Sequence, residues 1–180
     1  MPNKKHYIIT SITLGAIAAV SAALIGLTNL VTRDKIAENE RNKINNGINE
    51  IFGDSSEIKE EKKIDQYNLS VSHTYLSDTY VVNEKNTDNI LGYAFLTSGS
   101  NSYGKISLII GFNKTDLNFK GLSIVVNEQT YATTLVDEYI NPLNEDAKKI
   151  DDVSCGATYG AKLVRDMINE ASEAAKEIWE

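Results

Sequence analysis

Residues 91–126 read LGYAFLTSGSNSYGKISLIIGFNKTDLNFKGLSIVV, and the fold turns on how this stretch is read. Leu91–Thr97, Gly104–Phe112 and Lys120–Val126 are rich in aliphatic, β-branched and aromatic residues, which favours strands. The segments between them, TSGSNSY and NKTDLN, carry the Gly, Asn, Asp and Ser residues of turns. Strands joined by links this short pair antiparallel, so the stretch predicts a three-stranded meander. Upstream, Leu69–Tyr75 and Tyr80–Val82 read as two further strands. Downstream, Thr133–Tyr139 reads as a short helix stopped by Asn141-Pro142.

The C-terminal segment predicts a long helix. Apolar residues fall at Ala161, Val164, Ile168, Ala171, Ala175 and Ile178, widened by Leu163, Met167 and Ala174. This i, i+3/i+4, i+7 spacing makes a one-sided stripe, with Lys162, Arg165, Asp166, Glu170, Glu173 and Glu177 on the other faces. Such a stripe packs on a sheet. Strands first and helices after them give an α+β domain.

The N-terminus is different in kind. From Tyr7 to Val31 there are 25 consecutive residues without a charge, YIITSITLGAIAAVSAALIGLTNLV. As a helix they cover about 37 Å, against about 30 Å for a hydrocarbon core. Lys4 and Lys5 precede the run and Ala19-Val20-Ser21-Ala22 lies within it, features shared with a cleaved signal. The apolar run is longer than a signal core and continues past those alanines, which favours an uncleaved single-pass anchor in the bilayer. Basic residues lie on both sides, Lys4 and Lys5 before it and Arg33, Lys35, Arg41 and Lys43 after it, so charge leaves the orientation open. Beyond the span, Ile36, Ile44, Ile48 and Ile51/Phe52 recur at helical intervals up to Gly53. Residues 54–66, DSSEIKEEKKIDQ, read as a polar linker. The expected organisation is residues 1–32 as tip and anchor, 33–66 as amphipathic helix and linker, and 67–180 as the folded domain.

Composition removes several function classes. The 180 residues carry a net charge of −7 with three scattered arginines, which excludes nucleic acid as a partner. One cysteine and two histidines exclude an internal disulfide and a structural zinc cluster, and no metal site is expected. Cys155 lacks a histidine base other than His73, which sits in a strand-like segment and reads as a surface residue. Ser154-Cys155-Gly156-Ala157-Thr158 stands where the last helix must begin. Two readings fit this composition: a plain N-cap by Ser154 or Thr158, and an anion site. First-turn N–H groups have no partners within a helix, and the helix dipole adds positive potential there, so a phosphate is well held.

The stretch Asp152-Val153-Ser154-Cys155-Gly156-Ala157-Thr158 resembles the flavinylation motif D-x-x-[S/T]-G-A-T of the bacterial FMN-binding domain. That domain occurs in the G subunit of the Rnf electron-transport complex, in the C subunit of the sodium-pumping NADH:quinone oxidoreductase and in related extracellular flavoproteins. Val31-Thr32-Arg33-Asp34-Lys35-Ile36-Ala37-Glu38, after the span, is similar to the start of the Rnf subunit's charged helix. Gly92-Tyr93-Ala94-Phe95 and Tyr103-Gly104-Lys105-Ile106 are similar to the family's strands. The resemblance implies an antiparallel-sheet FMN-binding domain packed against helices, outside the cytoplasmic membrane. It implies FMN joined through its phosphate to Thr158 by a flavin transferase, with Asp152, Ser154, Cys155, Gly156 and Ala157 serving recognition and seating. It further implies Tyr103, Gly104, Glu128 and Thr130 as cofactor-binding residues, and membrane electron-transport subunits as partners. The implied role is electron relay rather than stand-alone catalysis. Tyr93, Tyr103, Tyr131 and Tyr159 are candidates to stack near the flavin ring.

Three positions depart from the family pattern. Cys155 replaces the motif's hydroxyl residue, and Gly160 stands where many members have a second Thr or Ser. The family's Glu-Thr-Pro-Gly-Leu-Gly loop is matched only by Glu128-Gln129-Thr130-Tyr131-Ala132-Thr133, which lacks the Pro-Gly turn. That loss favours the competing reading, a non-redox membrane-anchored scaffold or ligand-binding module of the same fold.

Overall fold

The computed structural model describes residues 4–70 and 73–179. Helix α1 (Lys4–Phe52) is followed by strands β1 (Ser56–Lys63), β2 (Leu76–Glu84), β3 (Ile90–Asn101), β4 (Gly104–Asn113) and β5 (Phe119–Asn127). Then come α2 (Ala132–Leu135), a π-helical turn over Val136–Ile140, α3 (Asn141–Glu145), a 3-10 turn and α4 (Thr158–Trp179). The chain divides into two compact units, with the division between Arg41 and Asn42.

In the first unit the stretch of α1 from Tyr7 to Val31 carries no charge on any side. Tyr7, Ile8, Ile12, Leu14 and Ile25 are each 59–72% exposed, which water would penalise and lipid would not. An 18-residue window of this helix has a mean hydropathy of 2.2 and is 0% buried within the protein, so the helix is long and apolar enough to cross a membrane. Thr13, Thr28 and Thr32 return their hydroxyls to the carbonyls of Ile9, Leu24 and Thr28 at 2.7–2.9 Å. That is how a hydroxyl is satisfied where no water is at hand.

In the second unit the five strands form one antiparallel sheet in sequential order, β1-β2-β3-β4-β5. One face carries Phe95, Ile106, Leu108, Ile110, Phe112 and Leu122, and the apolar stripe of α4 closes over it. Leu135, Tyr139, Ile140 and Leu143, from the short helical segments, fill the rest of this core. The opposite face, with Tyr80, Val82, Ala94 and Ile109, receives Ile44, Ile48, Ile51 and Phe52 of α1. Glycines on the sheet make that approach possible. A Cβ on Gly111 would lie 2.6 Å from Ile51 Cγ2, and one on Gly92 would lie 2.6 Å from Phe52 Cε1. Gly53, at φ +100°, then ends the helix as expected, since only glycine takes that conformation without strain.

The expected central strands, C-terminal helix and α+β class are present. Four local expectations are corrected. Residues 54–66 are not a linker, because they contain edge strand β1, paired along β2. Its charges are carried by ion pairs such as Lys59–Asp88 (2.5 Å) and Lys63–Asp78 (2.7 Å), and a charged edge resists further strand addition. The described part of Leu69–Tyr75 is irregular, with Val71 and Ser72 lying outside the described residues. Its amides bond to α4 rather than to a strand: Tyr75 N–H to Glu170 Oε1 at 2.7 Å, and Ser70 N–H to Glu177 Oε1. His73 is in this irregular stretch, with both ring nitrogens buried. Pro142 does not stop the helical run: the π-helical turn passes directly into α3, with Ile140 and Asn141 both in helical conformation.

Two outcomes follow. Val164 and Ile168 are 0% and 1% exposed, so Val164→Asp or Ile168→Asp places an unpaired charge in the core. Each should destabilise the domain by about 3 kcal/mol or more, read as a lowered thermal midpoint of the detergent-solubilised protein. Alkaline carbonate extraction of membranes should leave the full-length chain in the pellet; its release into the supernatant would remove the anchor reading.

Candidate functional site

Helix α4 runs antiparallel to β3. Leu163, near its start, lies against Gly99, and Trp179, at its end, stacks on Tyr93 with ring centroids 4.2 Å apart. This direction brings the N-terminus of α4 to the end of the sheet where β3 turns into β4 and where β5 ends. Three chain segments therefore meet there: the β3–β4 hairpin, the loop from Glu128 to Tyr131, and residues 154–160.

Their meeting point is a pocket of about 260 Å³ lined by Tyr103, Gln129, Tyr131, Leu135 and the run Gly156–Gly160. Thr158 is the first residue of α4, and its hydroxyl donates to the Cys155 carbonyl at 2.6 Å. The side chain is thereby fixed on the turn that opens the helix. Gly156 N–H donates to Glu138 Oε2 at 2.7 Å, which ties the motif to the π-helical turn. Neither Ser154, which is exposed, nor Thr158, which acts as a donor, makes the simple cap that composition suggested.

The other wall is a bonded unit. Thr130 donates both its N–H (2.7 Å) and its hydroxyl (3.0 Å) to the Tyr103 carbonyl. Glu128 N–H donates to Lys105 O at 2.8 Å, while Gln129, 6% exposed, donates its side-chain amide to Gly104 O. Gly104, at φ +130°, permits this close passage; a Cβ there would collide with the Glu128 carbonyl. In the core under α4, Tyr139 donates to Ile150 O at 2.6 Å, and burial pushes its phenol well above the ordinary range. It is a structural hydroxyl and does not titrate near neutrality.

Of the expected site residues, Tyr103, Gly156, Ala157 and Thr158 line one pocket. Gly104 and Thr130 hold its wall through backbone contacts, and Cys155 contributes its carbonyl while its side chain packs on the core. Asp152, Ser154 and Glu128 are exposed and do not line it. Tyr131 and Tyr159 do; Tyr93 instead stacks on Trp179. Sequence reasoning missed Gln129, Leu135 and Glu138, which reach the site only through tertiary pairing. At Gly160, the departure from the motif, a Cβ would lie 3.0 Å from Leu135 Cδ2. Among the described residues no group of His, Cys, Asp and Glu is placed to hold a metal ion.

The arrangement suits a ligand with an anionic end and a flat aromatic end. The first turn of a 22-residue helix offers N–H groups and dipole potential beside the Thr158 hydroxyl. Tyr103, Tyr131 and Tyr159, 36%, 52% and 64% exposed, supply aromatic faces at the mouth.

Comparison with known proteins adds one positive finding. No curated protein matches the chain. Residues 1–51 match the family model described as the RnfG N-terminal region. The match lies entirely outside residues 152–158, so the motif and the matched region are independent observations. By that match residues 1–51 are similar to an RnfG N-terminal region, which supports the resemblance to the G subunit of the Rnf complex.

Proposed function

We propose that this chain is a membrane-anchored electron-transfer flavoprotein carrying FMN through a phosphoester to Thr158, as a subunit of a Rnf-type electron-transport complex. The observation that carries the proposal is the placement of Thr158. The motif's acceptor threonine is the first residue of α4 and lines a pocket whose mouth is aromatic. The RnfG N-terminal match supports the assignment to such a complex.

The residues present fit both ends of the group. A phosphodiester anion at the start of α4 sits in the favourable potential of the helix dipole, and the first-turn N–H groups are the donors it needs. Gly156 and Ala157 keep side-chain bulk away from that end, and Leu135 and Gln129 line the interior. When bound, FMN supplies one- and two-electron redox chemistry, while the protein supplies binding, orientation and electrostatics.

Attachment is a phosphoryl transfer from an activated flavin nucleotide, performed by a flavin transferase. A bond forms between Thr158 Oγ and the phosphorus, the bond from phosphorus to the donor's leaving group breaks, and the hydroxyl proton departs. Asp152 and Ser154, both exposed, are open to the transferase, and Glu138 steadies the loop through the Gly156 N–H. In this reading α1 crosses the membrane once and the sheet domain lies outside the cytoplasm, where it receives electrons from one membrane subunit and passes them to another.

Mass spectrometry tests the attachment. Protein co-expressed with an active flavin transferase should yield the tryptic fragment Ile150–Lys162 with one FMN phosphoester. Thr158→Ala should abolish the modification, Thr158→Ser should retain part of it, and Cys155→Ser should be tolerated. If the wild-type fragment is found only unmodified, the electron-carrier reading fails and the non-redox scaffold takes its place.

A further inference from the structure

The Pro-Gly turn that the resemblance leads one to expect is missing, and the structure shows what stands in that region. We propose that Tyr103, Tyr131 and Tyr159 form the seat of the flavin ring in this chain, as an aromatic clamp in place of that turn. This inference rests on the attachment of FMN to Thr158.

The three rings come from three separate segments: the β3–β4 hairpin, the loop before α2, and the first turn of α4. Their convergence is a product of the tertiary fold. Tyr103 is central, with its centroid 5.8 Å from Tyr131 at 51° and 5.4 Å from Tyr159 at 31°. The rings are tilted rather than stacked shut, and all three remain substantially exposed at the mouth of the pocket that Thr158 lines. Tyr103 packs against both neighbours, and the surface that the three rings leave exposed lies at the mouth of the pocket.

The clamp is also held in advance. Asn101 Oδ1 accepts the Tyr103 N–H at 2.9 Å, and its Nδ2 donates to the Tyr159 carbonyl at 3.1 Å, so one amide joins the hairpin to α4. The paired bonds from Thr130 to the Tyr103 carbonyl join the hairpin to the Tyr131 loop. Segments joined in advance through their backbones lose less freedom when the rings they carry meet a planar ligand, which is where preorganisation gains affinity. Lys162 Nζ lies over the Tyr159 ring, 6.0 Å from its centroid. A planar, electron-poor isoalloxazine tethered by its phosphate at Thr158 is a natural partner for such electron-rich faces.

Flavin fluorescence tests the clamp, because a phenol in contact with the isoalloxazine quenches its emission by electron transfer in the excited state. Full-length protein co-expressed with a flavin transferase is solubilised in detergent, and emission is normalised to the FMN found covalently attached by mass spectrometry. The triple variant Tyr103→Leu/Tyr131→Leu/Tyr159→Leu should emit about threefold more per bound flavin than wild type, and the double variant Tyr131→Leu/Tyr159→Leu should rise by less, while Tyr131→Trp should stay quenched. Circular dichroism of each variant should match wild type, since Tyr103, Tyr131 and Tyr159 are 36%, 52% and 64% exposed. Attached FMN whose emission is the same in wild type and both leucine variants overturns the clamp and leaves the attachment standing. Absence of FMN from wild type overturns the attachment and the clamp together.

Discussion

The structure depends on the apolar stripe of α4 lying along the sheet. Val164, Met167, Ile168, Ala171 and Ala175 are at most 1% exposed, and removing that much apolar surface from water is worth about 1.5–3 kcal/mol for each large side chain. The small residues matter as much as the large ones. Ala161, Ala171, Ala174 and Ala175 let the helix backbone come close to Phe95, Ile106, Leu108 and Ile110. With Trp179 held against Tyr93 at one end and Leu163 against Gly99 at the other, the helix cannot slide or reverse. Its first residue is thereby placed at the hairpin end of the sheet.

The second face of the sheet is covered by the last turns of α1. That element changes character along its length, from apolar on all sides to apolar on one side, and the change is what the sequence shows after Arg33. Residues 44–52 behave as part of the sheet domain, with Glu50 bonded to Ser123 and Asn49 to Ser56. The exposed edge of β5 is closed in another way. Asn144 accepts the Leu122 N–H and donates to the Leu122 carbonyl at 2.8 and 2.9 Å, so one side-chain amide serves as the missing neighbouring strand.

What was legible in the sequence follows from where the information resides. The stripe of α4 and the runs of β3, β4 and β5 are periodic or densely apolar within one segment, so they could be read locally. Strand β1, SEIKEEKK, contains one strongly apolar residue, Ile58, and owes its conformation to pairing with β2. Leu69–Tyr75 has the composition of a strand, yet carboxylates of α4 some hundred residues away capture its amides. The site divides along the same line. Gly156, Ala157 and Thr158 were readable because a helix start and a motif coincide, whereas Gln129, Leu135 and Glu138 are invisible until the fold brings them in.

This division also explains how the motif can be kept while the facing loop changes. The phosphate end of the proposed cofactor is served by backbone N–H groups and a helix dipole, which depend on where α4 begins and on small residues before it. Those requirements tolerate Cys155, whose carbonyl rather than thiol is used. They also accommodate Gly160, whose missing Cβ leaves room for Leu135. The ring end is served by side chains projecting from loops, and loops can be rebuilt without moving the sheet. Once Asn101 and Thr130 fix the hairpin to both neighbouring segments, the tyrosine positions are set by the same meander that sets Thr158. The two ends of the site thus have separate chemical requirements and one common frame.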